Sequence, residues 1–340
     1  MDIFRIAKPE HAKQILHITK FAGDGLTTIP KTESDVNAYI EETTLFFNND
    51  GSANRILFIA ERDGQVQGIS GIIPKLGIDR SFYSFKRSVH RRRSQNPPLS
   101  VNIESLQLST EFDGYTELAS IFLSPKARGK GLGRLLSLGR LCFIHQHQEL
   151  FNTLLMADIR GWADEEGQSP FWNGLTSKFI NLSYEEADRL SSIDGNFIDR
   201  LIPSMPIMLN TLPKQVAECS GLPHRYSKGA LRLLIEAGFE ETDLCDVFDG
   251  GPSIRTNFKH TLINKTAYLF ARPERSKFSK DCLHFGGTRD NFMATLGPDD
   301  DKTAMAFQRF SPGKHWVAAA FENRARAEIK AITTGKAQNA

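Results

Sequence analysis

Arg128-Gly129-Lys130-Gly131-Leu132-Gly133 is the most informative segment of this sequence for its fold. It follows residues 116–123, a continuous apolar run typical of a buried strand, and it leads into residues 131–148, which carry apolar side chains at helical spacing. Glycines leave main-chain N–H groups uncovered at the start of a helix, where the helix dipole adds partial positive charge. The pattern therefore predicts a strand, a phosphate-binding loop and a helix.

Two better-known phosphate-binding motifs do not fit this loop. A dinucleotide-binding turn belongs to the first strand–helix unit of its fold and has an acid about 20 residues later. This loop begins only at residue 128, after other predicted elements. A nucleoside-triphosphate loop ends in Gly-Lys-Ser or Gly-Lys-Thr, which the loop also lacks.

The sequence around the loop alternates strand and helix patterns, which predicts an α/β (α+β) fold. We expect strands at 4–6, 56–60, 66–73 and 154–159, the second and third forming a hairpin, and a strand pair within 239–248. We expect helices at 9–21, at 34–47 with Ser34 as N-cap, and at 227–237 before Gly238. Beyond about residue 258, short β-rich pieces at 266–270 and 315–321 predict a small appendage, and the tail 331–340 is expected to fray.

Composition excludes several classes of protein. The formal net charge of +2, from 42 basic and 40 acidic residues, is too balanced to indicate a nucleic-acid or membrane-surface partner. We find neither a signal peptide nor an apolar run of about 18 residues, so we expect a cytoplasmic protein. The four cysteines have no metal-binding spacing, so we expect buried thiols and no metal site. The basic run 86–93 is typical of a solvated face, with anion binding as the alternative.

The order of motifs resembles that of the GNAT superfamily of acyl-coenzyme A N-acyltransferases. A strand, Arg-x-x-Gly-x-Gly, a helix and a strand are followed by a later helix ending in Glu-Ala-Gly-Phe at 236–239. The resemblance implies a mixed central sheet flanked by helices. It suggests an acyltransferase domain at 1–258, with an insertion at about 162–222, and a small β-rich region with a frayed tail at 259–340.

Five further strings resemble the arginine N-succinyltransferase family and occur in that family's order. They are Gly-Leu-Thr-Thr-Ile-Pro at 25–30, Ser-Thr-Glu-Phe-Asp-Gly at 109–114, Ala-Asp-Ile-Arg-Gly at 157–161, Ser-Pro-Phe-Trp at 169–172 and Asp-Val-Phe-Asp-Gly-Gly-Pro at 246–252. The resemblance implies transfer of a succinyl group from succinyl-CoA to the α-amine of L-arginine, with ornithine as another acceptor. It also implies that His224 donates a proton and that Ile121 contacts succinyl-CoA.

This chain departs from the family pattern at three places. Ala119 stands where the family usually has Cys, Asp158 where it has Glu, and His224-Arg225-Tyr226 where it has His-Pro-Gln. The departures bear on the choice of amino acid more than on acyl transfer. Other readings therefore stay open: a different acyl-CoA or amine, or a coenzyme A-binding module without activity that pairs with another subunit. A homo-oligomer or a paired family subunit is expected.

The expected site residues fall into three groups. As acid or base we expect His224, Glu117 or Tyr226, each with an ordinary structural role as its alternative. For the acyl donor we expect Ile121, Leu123, Arg128, Gly129, Lys130, Gly131, Leu132 and Gly133, and the N–H groups at 119–121 for the oxyanion. For the acceptor we expect Arg160, Trp172 and Asp246, with a salt bridge, core packing and a turn as the respective alternatives.

Overall fold

The structure is a computed structural model of the 340-residue chain. It describes residues 1–22, 28–48, 53–78, 80–193, 197–269, 282–297 and 316–320. The predicted frayed tail at 331–340 and part of the string at 25–30 lie outside these ranges.

The described residues form one mixed sheet. Its strands are β1 Asp2–Ile6, β2 Ile56–Arg62, β3 Gln65–Ile73, β4 Ser84–Ser94, β5 Leu99–Ser109, β6 Thr116–Leu123, β7 Leu154–Asp158, β8 Ile207–Met208, β9 Glu240–Asp246, β10 Pro252–Asn257, β11 Ala267–Leu269, β12 Cys282–Gly286, β13 Met293–Gly297 and β14 Trp316–Ala320. They are arranged in the order β11-β14-β12-β13-β1-β2-β3-β6-β7-β10-β9-β4-β5-β8. The β6–β7 pair is parallel, and the other pairs are antiparallel. The predicted mixed sheet is confirmed.

Helices flank the sheet. They are α1 Ala12–Thr19, α2 Glu33–Phe47, α3 Leu132–Gln146, α4 Pro170–Gly174, α5 Tyr184–Ile193, α6 Phe197–Leu201, α7 Lys214–Cys219, α8 Lys228–Glu236 and α9 Leu262–Thr266. The predicted cap of α2 was wrong: Thr32, not Ser34, is the N-cap. Its hydroxyl accepts from the N–H of Asp35, whose carboxylate accepts from the N–H of Thr32 in return.

The two faces of the sheet bury different cores, because alternate residues of a strand point to opposite faces. On one face, Ile15 of α1 and Val36 of α2 pack with Leu57 of β2. On the other, Leu135 of α3 packs with Phe58. Helix α3 is apolar almost all round its circumference, as expected for a buried helix, and it lies under the centre of the sheet.

The predicted hairpin of β2 and β3 is confirmed, but a longer one, β4–β5, was not predicted. Its strands pair over their full length, from Ser84 with Ser109 to Ser94 with Leu99. The basic run lies on this hairpin, and residues 90–93 are exposed, as a solvated face requires. The basic side chains on β4 hide the alternation of apolar and polar residues by which a strand is normally recognised in a sequence. Four strand steps separate β4 from β6, so the run lies far from the glycine loop.

The C-terminal β-rich pieces are confirmed as β11 and β14, and two more strands accompany them. β13 pairs with β1, so these strands extend the main sheet. Phe285 and Phe292 are fully buried in the same core as α3. The division into domains at residue 258 stays a prediction. The four cysteines, Cys142, Cys219, Cys245 and Cys282, are buried and free, as expected.

Candidate active site

The glycine loop has the backbone conformation that a phosphate-binding turn needs. A 3-10 turn at Pro125–Ala127 follows β6, and α3 begins at Leu132. Gly129 and Gly131 have φ angles of +78° and +87°, a region that residues with side chains rarely adopt. Gly133 lies inside α3 with an ordinary φ. Positions 129 and 131 therefore require glycine, whereas position 133 does not.

The loop is held through its carbonyls and leaves its N–H groups available. Within the described ranges, no N–H of residues 129–133 donates a hydrogen bond. The carbonyl of Lys130 accepts from Arg62 at 3.2 Å. Arg128 donates from Nε to the carbonyl of Leu123 at 3.4 Å. Free N–H groups at the start of a 15-residue helix are suited to bind an anion.

Strands β6 and β7 diverge beside this loop. Their parallel pairing covers only Thr116 with Leu155 and Glu117 with Met156. Among the described residues, β6 beyond Glu117 has a strand partner only on its β3 side, up to Leu123. We call the gap between the two strands the cleft; β6 borders it, and the glycine loop follows the end of β6. Ile121 and Leu123, expected to contact the acyl donor, lie on this part of β6.

A bulge interrupts β6 inside the cleft. The β3–β6 register shifts so that Ser120 and Ile121 together oppose Ser70. Ser120 has a φ of +54°, a left-handed conformation that is unusual for a residue with a side chain. Its hydroxyl donates to the carbonyl of Thr28 at 3.0 Å and lies 3.2 Å from the Tyr39 hydroxyl. The predicted oxyanion donors at 119–121 are the residues of this bulge.

Glu117 begins the divergent part of β6 and is buried. Burial raises the pKa of its carboxyl to about 7, against the opposing effect of the Arg140 and Arg55 guanidinium groups, and nearby Asp246 raises it further. A carboxylate with a pKa near neutrality is suited to accept a proton at physiological pH.

Two aspartates extend this acidic group. Asp158, at the end of β7, accepts a hydrogen bond from the Ser253 hydroxyl. Burial raises its pKa, and the charges of Asp246 and Glu117 add to that effect. Burial likewise raises the pKa of Asp246. The structure thus brings the charges of Glu117 and Asp246 close to each other and adds Asp158, which the sequence marked as a departure from the family pattern but not as a site residue.

Asp246 also builds a turn, which was the alternative to its binding role. One of its oxygens, Oδ1, accepts from the N–H groups of Phe248 at 2.7 Å and Asp249 at 2.8 Å. Asp249 in turn accepts from Gly161 at 2.7 Å and Gly251 at 2.8 Å. The turn therefore ties the strings 157–161 and 246–252 into one wall of the site.

His224 lies against this wall. Its main-chain N–H donates to the carbonyl of Arg160 at 2.8 Å, and Gly161 bridges Pro223. The ring is buried, and its Nδ1 accepts from the N–H of Tyr226 at 3.3 Å. Burial lowers the pKa of His224 to about 4, with contributions from the charges of Arg160 and Arg225. The imidazole is therefore neutral at physiological pH.

Tyr226 connects His224 to the glycine loop. Its ring lies 5.3 Å from the His224 ring, and the guanidinium of Arg128 lies 5.5 Å from its centroid. The guanidinium of Arg225 lies on the same ring at 4.9 Å. The side chain is 64% exposed and, among the described residues, packs against these neighbours, so both the proton-donor role and an aromatic packing role stay predictions.

Trp172 is buried in a hydrophobic core cluster. It packs with Tyr184 at 5.4 Å and Phe248 at 6.0 Å between ring centroids, and it is 5% exposed. Its neighbour Phe171 fills the space beside Gly250, where a side chain would clash with the ring. The string 169–172 thus supports the turn of Asp246 from below, and contact between Trp172 and the acceptor stays a prediction.

Other features of the described residues lie apart from this site. A cavity of about 460 Å³ runs along the β4–β5 hairpin, lined by residues that include His90, Ile103 and Met208, and no expected site residue borders it. The helices described are too short or too polar to cross a membrane. In the same ranges, no three His, Cys, Asp or Glu side chains are grouped as metal ligands.

Comparison with known proteins identifies the family. The family described as "Arginine N-succinyltransferase beta subunit" matches residues 2–282. The beta subunit of arginine N-succinyltransferase from Pseudomonas aeruginosa is 31% identical over 244 residues, which cover 71% of this chain and 72% of that protein. This chain belongs to the arginine N-succinyltransferase family.

Other members agree in length and fold. The alpha subunit from the same organism is 29% identical over 302 residues, which cover 86% of this chain and 89% of that protein. The solved structure of arginine/ornithine succinyltransferase subunit AI from Pseudomonas aeruginosa superposes with a TM-score of 0.80 at 24% identity, covering 94% of this chain and 98% of that one. The fold is therefore that of an arginine N-succinyltransferase subunit along nearly its whole length.

Proposed function

We propose that this chain transfers the succinyl group of succinyl-CoA to the α-amine of L-arginine. The observation that carries the proposal is the placement, at the two ends of β6, of a loop with free N–H groups at 129–133 and a buried acidic group formed by Glu117, Asp158 and Asp246. The loop is suited to a pyrophosphate and the acidic group to a cationic amine. Membership of the arginine N-succinyltransferase family supports the choice of both substrates.

The donor is proposed to bind along β6. Its pyrophosphate would accept from the N–H groups of Gly129 to Gly133, close to the positive charge of Arg128. Its pantetheine arm would run past Leu123 and Ile121 towards the bulge at Ser120. The thioester carbonyl would then meet the main-chain N–H groups of the bulge, which are suited to stabilise an oxyanion.

The reaction is proposed to proceed by direct attack. Glu117 accepts a proton from the ammonium of the acceptor, directly or through water, and the free amine attacks the thioester carbon. A C–N bond forms and the C–S bond breaks; the nitrogen then loses its second proton, which passes through water to replace the one that Tyr226 gives to the thiolate, so the products are the amide and coenzyme A. Tyr226 lies near the loop and is proposed to give a proton to the departing thiolate. His224, neutral and with its proton on Nε2, is proposed to donate to the oxyanion.

Two charged groups are proposed to select the substrates. Asp158 and Asp246 would attract the cationic side chain or amine of arginine. Arg160, which makes no ion pair within the described ranges, would bind a carboxylate of the succinyl group or of the acceptor. Its charge is near Asp249, which keeps the guanidinium beside the wall of the site.

The partner and location follow from the same proposal. Separate alpha and beta subunits exist among the relatives in Pseudomonas aeruginosa, so we propose that this chain pairs with a related subunit or with a second copy. Because acyl-CoA donors are held inside the cell, we propose a cytoplasmic enzyme.

Release of thiol tests the proposal. Purified protein is mixed with succinyl-CoA or acetyl-CoA and a panel of amino acids, and a chromogenic disulfide reports free coenzyme A. We expect turnover with succinyl-CoA and arginine. Turnover only with another acyl-CoA or amine would favour a different N-acyltransferase of the same fold. Tight coenzyme A binding without turnover on any amine would favour the non-catalytic module.

A further inference from the structure

Arg140 is a fully buried arginine on a helix that packs mostly apolar side chains into the core. It lies on α3 between Gly139 and Leu141, and none of its surface is exposed. Its Nη1 donates to the carbonyl of Ala119 at 3.2 Å. Its Nε and Nη2 are buried and have no hydrogen-bond partner within the described ranges. Burying a guanidinium costs free energy, and the single hydrogen bond that Arg140 makes to described residues does not offset that cost. The cost therefore indicates a role of Arg140 other than stabilising the fold.

The one hydrogen bond that Arg140 makes is to the peptide at the bulge. In a trans peptide the carbonyl and the following N–H point in opposite directions and lie in one plane. Holding the Ala119 carbonyl therefore also sets the direction of the Ser120 N–H. This control matters because Ser120 adopts a left-handed conformation with a φ of +54°, which its own side chain disfavours.

The bulge is also held from the opposite face of the sheet. Tyr39 of α2 is 1% exposed, and its hydroxyl meets the Ser120 hydroxyl, which donates in turn to Thr28. Tyr39 reaches this position only because Gly71 has no side chain: a Cβ there would lie 2.2 Å from the tyrosine oxygen. Helices α2 and α3 thus fix the side chain and the peptide of one bulge from two sides.

We infer that Arg140 is a positioning residue for acyl transfer: by holding the Ala119 carbonyl, it aims the Ser120 N–H at the thioester oxygen. This role presupposes the proposed acyl transfer and adds a residue that touches neither substrate. The charge has a second effect, because Arg140 is also the main cation opposing the rise in the pKa of Glu117. Burial lowers the pKa of Arg140 itself to about 9, so the guanidinium stays charged at neutral pH.

Two substitutions separate these effects from loss of stability. Arg140→Met keeps an unbranched side chain but removes the donor and the charge. Leu138→Ala removes a fully buried side chain of the same helix without changing charge, and serves as the control. We expect Arg140→Met to lower kcat about 10²- to 10³-fold with little change in KM for succinyl-CoA, as for loss of an oxyanion donor. The acid limb of its kcat/KM profile should move to higher pH, because Glu117 loses a neighbouring cation.

Arg140→Lys keeps the charge without the planar guanidinium. We expect an acid limb at the wild-type pH and a roughly tenfold loss in kcat, since the peptide is held less well. The infrared band of a ¹³C-labelled thioester carbonyl in bound succinyl-CoA provides a readout that needs no acceptor amine, because a hydrogen bond to the carbonyl oxygen lowers the frequency of the band. We expect a lower frequency in the wild type and in Leu138→Ala than in either Arg140 variant.

Equal kcat, pH profile and carbonyl band in Arg140→Met and Leu138→Ala would overturn this role. Should Arg140→Met fail to fold, an unchanged kcat and an unchanged band in Arg140→Lys would overturn it. Failure of the proposed function looks different. The wild type would bind succinyl-CoA without releasing thiol on any amine, while the shift of the carbonyl band would still report whether Arg140 orients the bulge.

Discussion

The main-chain N–H of Tyr226 donates a hydrogen bond to Nδ1 of His224 at a distance of 3.3 Å. A neutral imidazole that accepts at Nδ1 carries its proton on Nε2. Because burial beside Arg160 and Arg225 lowers the pKa of His224 to about 4, this neutral form is the relevant one at physiological pH. His224 is therefore better suited to donate a hydrogen bond from Nε2 than to remove a proton from the amine.

Removing this donor should affect catalysis more than binding. We expect His224→Ala to lower kcat about 10²- to 10³-fold, the usual effect of losing an oxyanion-hole donor, with coenzyme A affinity changed less than about threefold. Steady-state thiol release and calorimetric titration with coenzyme A measure the two quantities. His90→Ala, on the exposed hairpin, is the control. An unchanged kcat in His224→Ala would remove this residue from the chemistry.

The pH profile should report Glu117. As a base it acts only when deprotonated, so kcat/KM should rise with pH through an apparent pKa of about 7. We expect Glu117→Gln to lose that limb and about 10²- to 10⁴-fold in rate. The pKa of Glu117 in the folded protein lies above its ordinary value of 4.5, so this group's contribution to stability is lost as pH rises through about 7. Glu117→Gln should therefore have a higher Tm than the wild type at pH 8 and not at pH 4. A profile that keeps its acid limb in the variant would rule out this base.

Two glycines of the loop make a matched pair. Gly131 has a φ of +87°, so Gly131→Ala should distort the turn, costing about 1–2 kcal/mol of stability and at least tenfold in coenzyme A affinity. Gly133 is helical, and a Cβ there would meet only Leu123 at 3.7 Å. Gly133→Ala should therefore bind coenzyme A normally and gain up to about 1 kcal/mol. Titration calorimetry and thermal unfolding distinguish the two. Equal affinities in both variants would show that the loop conformation is not needed for binding.

The acidic group should determine affinity for the acceptor. We expect Asp158→Asn and Asp246→Asn to raise KM for arginine about 10- to 100-fold and to leave KM for succinyl-CoA unchanged, since an amide cannot attract a cation. Asp243→Asn, half-exposed on β9, is the control. Asp246→Ala should also lose about 1–3 kcal/mol of stability, because two N–H groups of its turn lose their acceptor. Unchanged KM values for arginine in both variants would show that the cationic group of arginine does not bind at Asp158 and Asp246.

Local patterns predicted the elements around the loop, because β6, α3 and the β2–β3 hairpin each have a clear period in the sequence. The sequence also indicated that Gly129 and Gly131 belong to a turn. It did not indicate that Gly133 is an ordinary helical residue, since the three glycines alternate at equal spacing. The Ser120 bulge depends on Tyr39 and Gly71, which come from distant parts of the chain, so no local pattern encodes it.

The sequence does contain an indication of the role of Arg140, although Arg140 was not among the predicted site residues. It is a charged residue among the apolar residues Leu138, Leu141 and Cys142 of the helix, and a charged residue that is buried there needs a partner. Its partner, the Ala119 carbonyl, is a main-chain atom whose exposure depends on the bulge. The acidic group of Glu117, Asp158 and Asp246 likewise comes from three strands, and only the order of strands in the sheet brings them together.

The cleft between β6 and β7 is proposed to join a succinyl group to the α-amine of arginine. The most direct measurement incubates the wild-type protein with succinyl-CoA and arginine labelled with ¹⁵N at the α-amine, and follows thiol release and the product by mass spectrometry and NMR. We predict one equivalent of N-succinylarginine, acylated at the labelled nitrogen, for each equivalent of coenzyme A released. Thiol release without that product, or no release with arginine or ornithine, would contradict it.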